Sequence, residues 1–200
     1  MTTAARGRRK GSPDTRAAIL EAARGLFAEN GFSGTSVRAV AGAAGVDPAL
    51  VHHYFGSKDD LFVAALALPV DPRAVFEVIA IQGPDGAGER LLRGFLSVWD
   101  DPDLQPSMVG FARALLDPSA SDLVKNGFLE VVIRPLGTAL GIDDPARRMP
   151  LVASQMIGIV MFRYLVGVEP LVSMSADEVV AVYAPTIQRY LTGDLSGPGS

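Results

Sequence analysis

The chain has two histidines, His52 and His53, and they stand side by side just after Asp47, Pro48, Ala49, Leu50 and Val51. A carboxylate, two imidazoles and small apolar side chains in one short segment can exchange hydrogen bonds and make methyl contacts. A shared metal or proton relay is a poor use of the two rings, because neighbouring residues of a helix point about 100° apart. The chemistry that fits is recognition of an edge carrying donors, acceptors and methyl groups. Asp47 can accept from cytosine N4, Ala49 and Leu50 can touch a thymine methyl, and His52 and His53 can donate to phosphate or purine acceptors. Asp47 also reads as a simple helix cap, and Leu50 as a core residue.

Such a segment needs a helix to hold it, and the flanking residues supply one. Residues 36–43 read as a short helix with Val37, Val40 and Ala41 on one face. Gly45 follows where the chain must turn sharply, and Val46 can plug the gap between two helices. Asp47 caps the second helix and Pro48 takes its first position, where a missing N–H costs nothing. That helix runs to about Tyr54 and turns Asp47, Pro48, Ala49, His52 and His53 outward. Two helices joined by a tight glycine turn form a helix-turn-helix, whose second helix enters a DNA major groove. Upstream, residues 16–30 carry Ile19, Leu20, Ala23, Leu26 and Phe27 at helical spacing, and Asn30-Gly31 ends that helix. Downstream, Ser57 is a good N-cap, with Asp60 where a capping box has Glu or Gln, before Leu61, Phe62, Ala65 and Leu66. Thr35 and Ser36 at one helix start and Lys58 at the next can reach phosphates, and Arg38 on the first of these helices can reach phosphate or a base edge.

The stretch ILEAARGLFAENGFSGTSVRAVAGAAGVDPALVHHYFGSKDDLF resembles the DNA-binding domain of the TetR/AcrR family of bacterial transcriptional regulators. The resemblance covers residues 16–66 and rests on Ala22-Ala23 with Leu26-Phe27, Gly31-Phe32, Thr35-Ser36-Val37, Ala44-Gly45-Val46, His53-Tyr54-Phe55 and Ser57-Lys58. It also points to Lys58 as a phosphate contact. The departure lies in the recognition helix. Family members often have Thr or Ser where this chain has Leu50, and Tyr or Phe where it has His52.

Charge is distributed accordingly. The net charge is −4, but residues 1–58 hold eight Lys/Arg against four Asp/Glu, and residues 59–200 hold ten against eighteen. Positive potential is therefore concentrated on the end that would meet phosphate. The lack of cysteine rules out disulfides and Cys-based metal sites, and suits a reducing cytoplasm. No Ser-His-Asp arrangement, Gly-rich phosphate loop, HExxH or carboxylate-rich cluster appears, so an enzyme and a cofactor are not expected. Residues 1–12 lack the apolar core of a signal peptide. They read as a disordered basic arm (Arg6, Arg8, Arg9, Lys10), either solubilising or reaching DNA.

The rest reads as helix punctuated by proline and glycine, near 72–82, 86–100, 103–116, 119–140, 145–167 and 175–192. Pro135, Pro150 and Pro185 fall inside helical patterns, where kinks are expected. The expected fold is all-α: a three-helix helix-turn-helix domain over 13–56, a connecting helix over 57–68, a helical ligand-sensing and dimerisation domain over 69–193, and a flexible tail over 194–200. Residues 151–168 approach the length of a membrane span, but they include Gln155 and Arg163, and a buried interface helix fits them better. The family resemblance implies that the last two long helices build a four-helix homodimer interface. It also implies that a small molecule bound in the C-terminal domain shifts the DNA-binding heads, with the connecting helix as lever. Phe95, Trp99, Met108, Phe111, Phe128 and Met156 are apolar candidates for that pocket, and Arg113 and Arg163 could meet an anionic group. Each aromatic or Met also fits ordinary core, and each Arg could instead pair with a carboxylate. A homodimeric repressor on near-palindromic double-stranded DNA is the resulting reading. The competing one is a helical interaction module that keeps the helix-turn-helix as scaffold.

Overall fold

Side-chain caps set where the short N-terminal helices begin. In the computed structural model, which describes residues 13–115 and 124–195, Ser36 Oγ accepts from the Ala39 N–H at 3.1 Å and opens helix α2, Val37–Ala43. Asp47 Oδ1 accepts from the Ala49 N–H at 2.8 Å and opens α3, Pro48–Phe55. Ser57 and Asp60 satisfy each other's backbone N–H and open α4, Lys58–Ala65. Asp60 thus serves in the capping box in place of Glu or Gln. Preceding these is α1, Pro13–Gly34, which leaves helical geometry at Gly31 (φ 66°) and adds one more turn.

Among the described residues every regular element is helical, and the chain divides into two compact units after Leu66. In the first unit α1 supplies Ile19, Ala23 and Phe27, spaced to face one side, against Val40, Val51, Leu61 and Phe62 from the other helices. Phe62 is fully buried and meets Phe27 and Phe32 edge-on, each at 5.2 Å between ring centres. Such pairs add to the stabilisation from area burial alone.

One helix end differs from expectation. α4 stops at Ala65 instead of running through 57–68, and Ala67 takes a left-handed φ of 53°. Pro69 has no N–H to donate and biases Leu68 away from helical geometry, so the helix must end ahead of it.

The second unit is built from α5 (Pro72–Ala80), α6 (Ala87–Trp99), α7 (Gln105–Leu115), α8 (Arg134–Ala139), α9 (Pro145–Ile159) and α10 (Ala176–Thr192). Two π-helical segments, Val124–Ile133 and Val160–Leu165, adjoin α8 and α9. Helices α6 and α10 cross in close contact. A Cβ on Gly88 would lie 2.8 Å from the Ala184 carbonyl oxygen, so only glycine permits this crossing. The Gly88 N–H donates to Gln188 Oε1 there, and Gln188 Nε2 donates to the Pro84 carbonyl. Leu92, Leu96, Met149, Ile159, Ile187 and Leu191 fill the core below.

Prolines act unequally here. Pro150 and Pro185 are carried inside α9 and α10, whereas Pro135 marks the change from π-helix to α8. The expected 119–140 helix therefore appears as a π-helical segment and a short helix, and its first residues lie outside the described ones. The 145–167 helix likewise widens into π geometry after Ile159. Among the described residues no helix is long and apolar enough to cross a membrane. The expected basic arm over 1–12 and most of the 194–200 tail lie outside the described residues.

Candidate nucleic-acid interface

The turn between α2 and α3 decides which side chains face outward. Gly45 adopts φ 65°, a left-handed conformation that a residue with a Cβ takes only under strain. The Val46 N–H then donates back to the Ala41 carbonyl at 2.9 Å, which folds α3 across α2. Val51 and Phe55 are thereby buried, while Asp47, Ala49, His52 and His53 are exposed and Pro48 and Leu50 half-buried. Leu50 thus divides its surface between interior and exterior, and Asp47 already spends Oδ1 on its capping bond. Ser36 is also a cap, although its hydroxyl proton is left to give. Arg38 is exposed on α2.

Thr35 requires a correction. Sequence placed it among the phosphate donors, but it is only 3% exposed, and its hydroxyl lies at 2.9 and 2.8 Å from the Leu26 and Gly31 carbonyl oxygens. The one hydroxyl proton is shared between these two carbonyls beside the break at Gly31, and Asn30 Nδ2 also donates to the Leu26 carbonyl at 3.3 Å. Thr35 therefore braces the entry to α2 from inside.

Lys58 is half-buried, with its ammonium 4.2 Å above the centre of the Phe32 ring. Burial pulls its pKa below the usual lysine value, and neighbouring Asp59 opposes that. The ring holds the cation by its quadrupole, at about 0.5–2 kcal/mol for a partly buried pair, weak enough for a phosphate to compete. Two further arginines escaped the sequence reading. Arg16 lies over the Phe55 ring at 5.0 Å, and Arg24 Nε donates to the Ala65 carbonyl at 3.2 Å. Both lie within the helix-turn-helix unit, and only their charge could have drawn attention to them.

His52 and His53 diverge. The His53 ring packs edge-on against Tyr54, at 5.3 Å between centres. His52 Nδ1 lies 2.9 Å from the Gly56 carbonyl oxygen. Among the described residues no group of three His, Cys, Asp or Glu could hold a metal ion.

The eight residues proposed for a ligand pocket do not form one site. Phe95, Trp99 and Met108 belong to one cluster with Ala112 and Val160, in which Trp99 lies 5.0 Å from Tyr164 and 5.6 Å from Phe95. Phe111 and Phe128 pair separately at 5.9 Å, and Met156 packs on the main core. Arg113 is exposed on α7. Arg163 takes the second of its two expected uses, beside a carboxylate. Its guanidinium donates to the Leu171 and Met174 carbonyls at 2.6 Å each and stands 3.4 Å from Asp100. Those donors hold the loop that follows, which is the structural use of a charge in an apolar helix. Sequence missed its neighbour Tyr164, whose hydroxyl donates to Asp100 Oδ1 at 2.8 Å and whose pKa is raised by burial and by Asp100. A separate cleft of about 140 Å³ is lined by Asp143, Asp144, Arg147, Arg148, Asp194 and Leu195.

Comparison with known proteins accounts for both units. A family model described as "Bacterial regulatory proteins, tetR family" matches residues 19–65, and one described as "Tetracyclin repressor-like, C-terminal domain" matches residues 85–191. The HTH-type transcriptional regulator BetI of Rhizobium meliloti is 41% identical over 54 residues, 27% of each protein. The HTH-type transcriptional repressor AcnR of Corynebacterium glutamicum is 34% identical over 90 residues, 45% of this chain and 43% of that protein. The chain thus spans less than half the length of these curated relatives. Among solved structures, a TetR-family regulator from Streptomyces coelicolor A3 is 39% identical, covers 93% of this chain and 99% of that one, and superposes with a TM-score of 0.48.

Proposed function

The chain belongs to the TetR family of bacterial regulatory proteins, and from that premise we propose that it is a homodimeric repressor that leaves a near-palindromic operator when a small molecule binds its C-terminal unit. The observation that carries this reading is the exposed outer face of α3, with its capped N-terminus and with Asp47, Ala49, His52 and His53 turned to solvent. A recognition helix reads base edges with such a face while neighbouring cations grip phosphate. Ser36, Arg38 and Lys58 are the proposed phosphate contacts, and Pro48 and Leu50 frame the base-reading surface.

The dimer reading is supported by the surface of α9 and α10. No charged residue occurs between Arg148 and Arg163. Leu151, Ile157 and Val182 are 36%, 40% and 61% exposed. Ser154, Ala181, Pro185 and Thr186 beside them are also exposed and uncharged. A surface helix ordinarily carries charge on its outer side, so these faces suit a second copy. Twofold pairing would set two recognition helices about 34–36 Å apart, one turn of DNA. For the ligand, the aromatic cluster of Phe95, Trp99 and Met108 is the proposed seat, with Tyr164 and Asp100 as its polar end. Release requires that the ligand prefer one arrangement of the two heads over the other.

Selection of bound sequences from a random duplex library, at about 0.15 M salt, tests the function directly. Enrichment of a near-palindrome is expected. Uniform, weak binding with no enriched sequence would leave the helix-turn-helix as scaffold for protein interaction.

Lys58→Ala is expected to lower affinity for every duplex alike and to flatten the salt dependence of binding by about one unit. Lys58→Arg, which keeps the charge, should preserve the slope. An unaltered slope in the alanine variant would remove Lys58 from the phosphate contacts.

A further inference from the structure

The hydrogen bond between His52 and Gly56 determines what the outer edge of His52 can do. A carbonyl oxygen has lone pairs and no proton, so the Nδ1 that lies 2.9 Å from Gly56 O is the nitrogen carrying hydrogen. A neutral imidazole has only one N–H. Nε2 is therefore bare, and an acceptor. The arrangement is held from both sides, because the Gly56 N–H donates to the His52 carbonyl at 2.8 Å. Gly56 closes this clasp with φ 79°, which directs its carbonyl back toward the ring and suits glycine.

His52 is exposed, and it shares a helix face with Pro48 and Ala49, one turn earlier. That face is the outer one of α3. The sequence-based expectation that His52 donates to phosphate or to purine acceptors therefore fails for the neutral ring. Phosphate oxygens and guanine O6 and N7 only accept, so a bare Nε2 would meet them lone pair to lone pair. In the major groove the hydrogen-bond donors are the exocyclic amines, cytosine N4 and adenine N6.

Resting on the DNA-binding reading above, we propose that His52 is a specificity-determining residue whose Nε2 accepts a hydrogen bond from the exocyclic amine of a cytosine or adenine in each operator half-site. The backbone clasp at Gly56 sets the tautomer, and the tautomer sets the base class. Ala49, with its methyl group, is placed beside it to touch a neighbouring pair.

The test uses the full chain and the operator enriched by the wild-type protein, at pH 8. Single amines are deleted with base analogues, 2-pyrimidinone for cytosine and unsubstituted purine for adenine, and affinities are measured for wild type and His52→Ala. At one position per half-site, amine deletion is expected to weaken wild type about five- to tenfold and His52→Ala by less than about twofold. Whichever analogue produces that loss identifies the base. His52→Arg, which carries only donors, should shift the enriched base at that position to guanine. His52→Arg also lacks the acceptor, so the loss of coupling to the amine can be read in it even where His52→Ala folds poorly. Equal losses in wild type and His52→Ala at every position would overturn the assignment. So would a uniform loss in His52→Ala with a salt slope lower by about one, which marks a charged ring on phosphate. If wild type enriches no sequence, the DNA-binding reading fails and takes this assignment with it. Enrichment with no coupling to His52 defeats the assignment alone.

Discussion

Ile157→Arg combined with Val182→Arg is expected to yield a folded monomer whose operator affinity is about 10²–10⁴-fold below the parent. That range is the avidity lost when two linked half-site contacts become independent. The positions are 40% and 61% exposed, so the changes remove little core packing. In a twofold interface each change occurs on both copies, so four like charges would be desolvated together in one apolar seam. Sedimentation gives the mass, and titration with full-site and half-site duplexes gives the affinities. A double variant that stays dimeric and binds like the parent would sink the proposal that these faces pair. Deleting 145–192 would be a poorer test, because it also strips Met149, Val152, Ile159, Val179, Ile187 and Leu191 from the core.

Phe62→Ala should be the most damaging single change in the N-terminal unit. The ring is fully buried against Phe27 and Phe32, and truncation leaves a cavity in a small core. Phe→Ala at such a site costs about 3–5 kcal/mol, a large share of a small domain's total stability. At about 4–8 °C per kcal/mol for a unit of this size, its unfolding midpoint should fall by ~12 °C or more. DNA binding should fall with it, although Phe62 is not on the outer face of α3. The second unit has its own core, so its unfolding transition should persist. Calorimetry on wild type and variant resolves this. A variant with an unmoved lower transition would mean that the aromatic trio contributes little.

Much of the helix-turn-helix was legible because its determinants are local. Ser36, Asp47 and Ser57 each cap a helix through atoms two or three residues away, and the Gly45 turn is closed by its neighbours. The apolar stripe of α1 is equally local, since helical spacing alone puts Ile19, Ala23 and Phe27 on one side. The all-α class follows from the same kind of signal, repeated along the chain.

What escaped the sequence depends on groups distant along the chain or on exact backbone direction. Thr35 looked like a surface donor until the break at Gly31 brought its hydroxyl inside, against the Leu26 and Gly31 carbonyls. Arg163 looked available to a ligand until the loop beyond it folded back with two carbonyls, and Asp100 approached from α6. The large apolar residues of the second unit carried no mark of which cluster each would join, because periodicity assigns a face and not a partner.

By itself, the sequence determined the helical class, the caps, the recognition helix and the side chains that line its outer face. These are set within a turn or two of chain, where residue type limits backbone geometry directly. Tertiary structure decided which polar groups remain available for chemistry. A hydrogen bond spends a donor on one acceptor, and which acceptor comes within 3 Å is known only after the chain has folded. For His52 that bond falls on the Gly56 carbonyl. That carbonyl is only four residues away, yet it meets the ring only because Gly56 takes φ 79°, a backbone direction that residue order alone does not give.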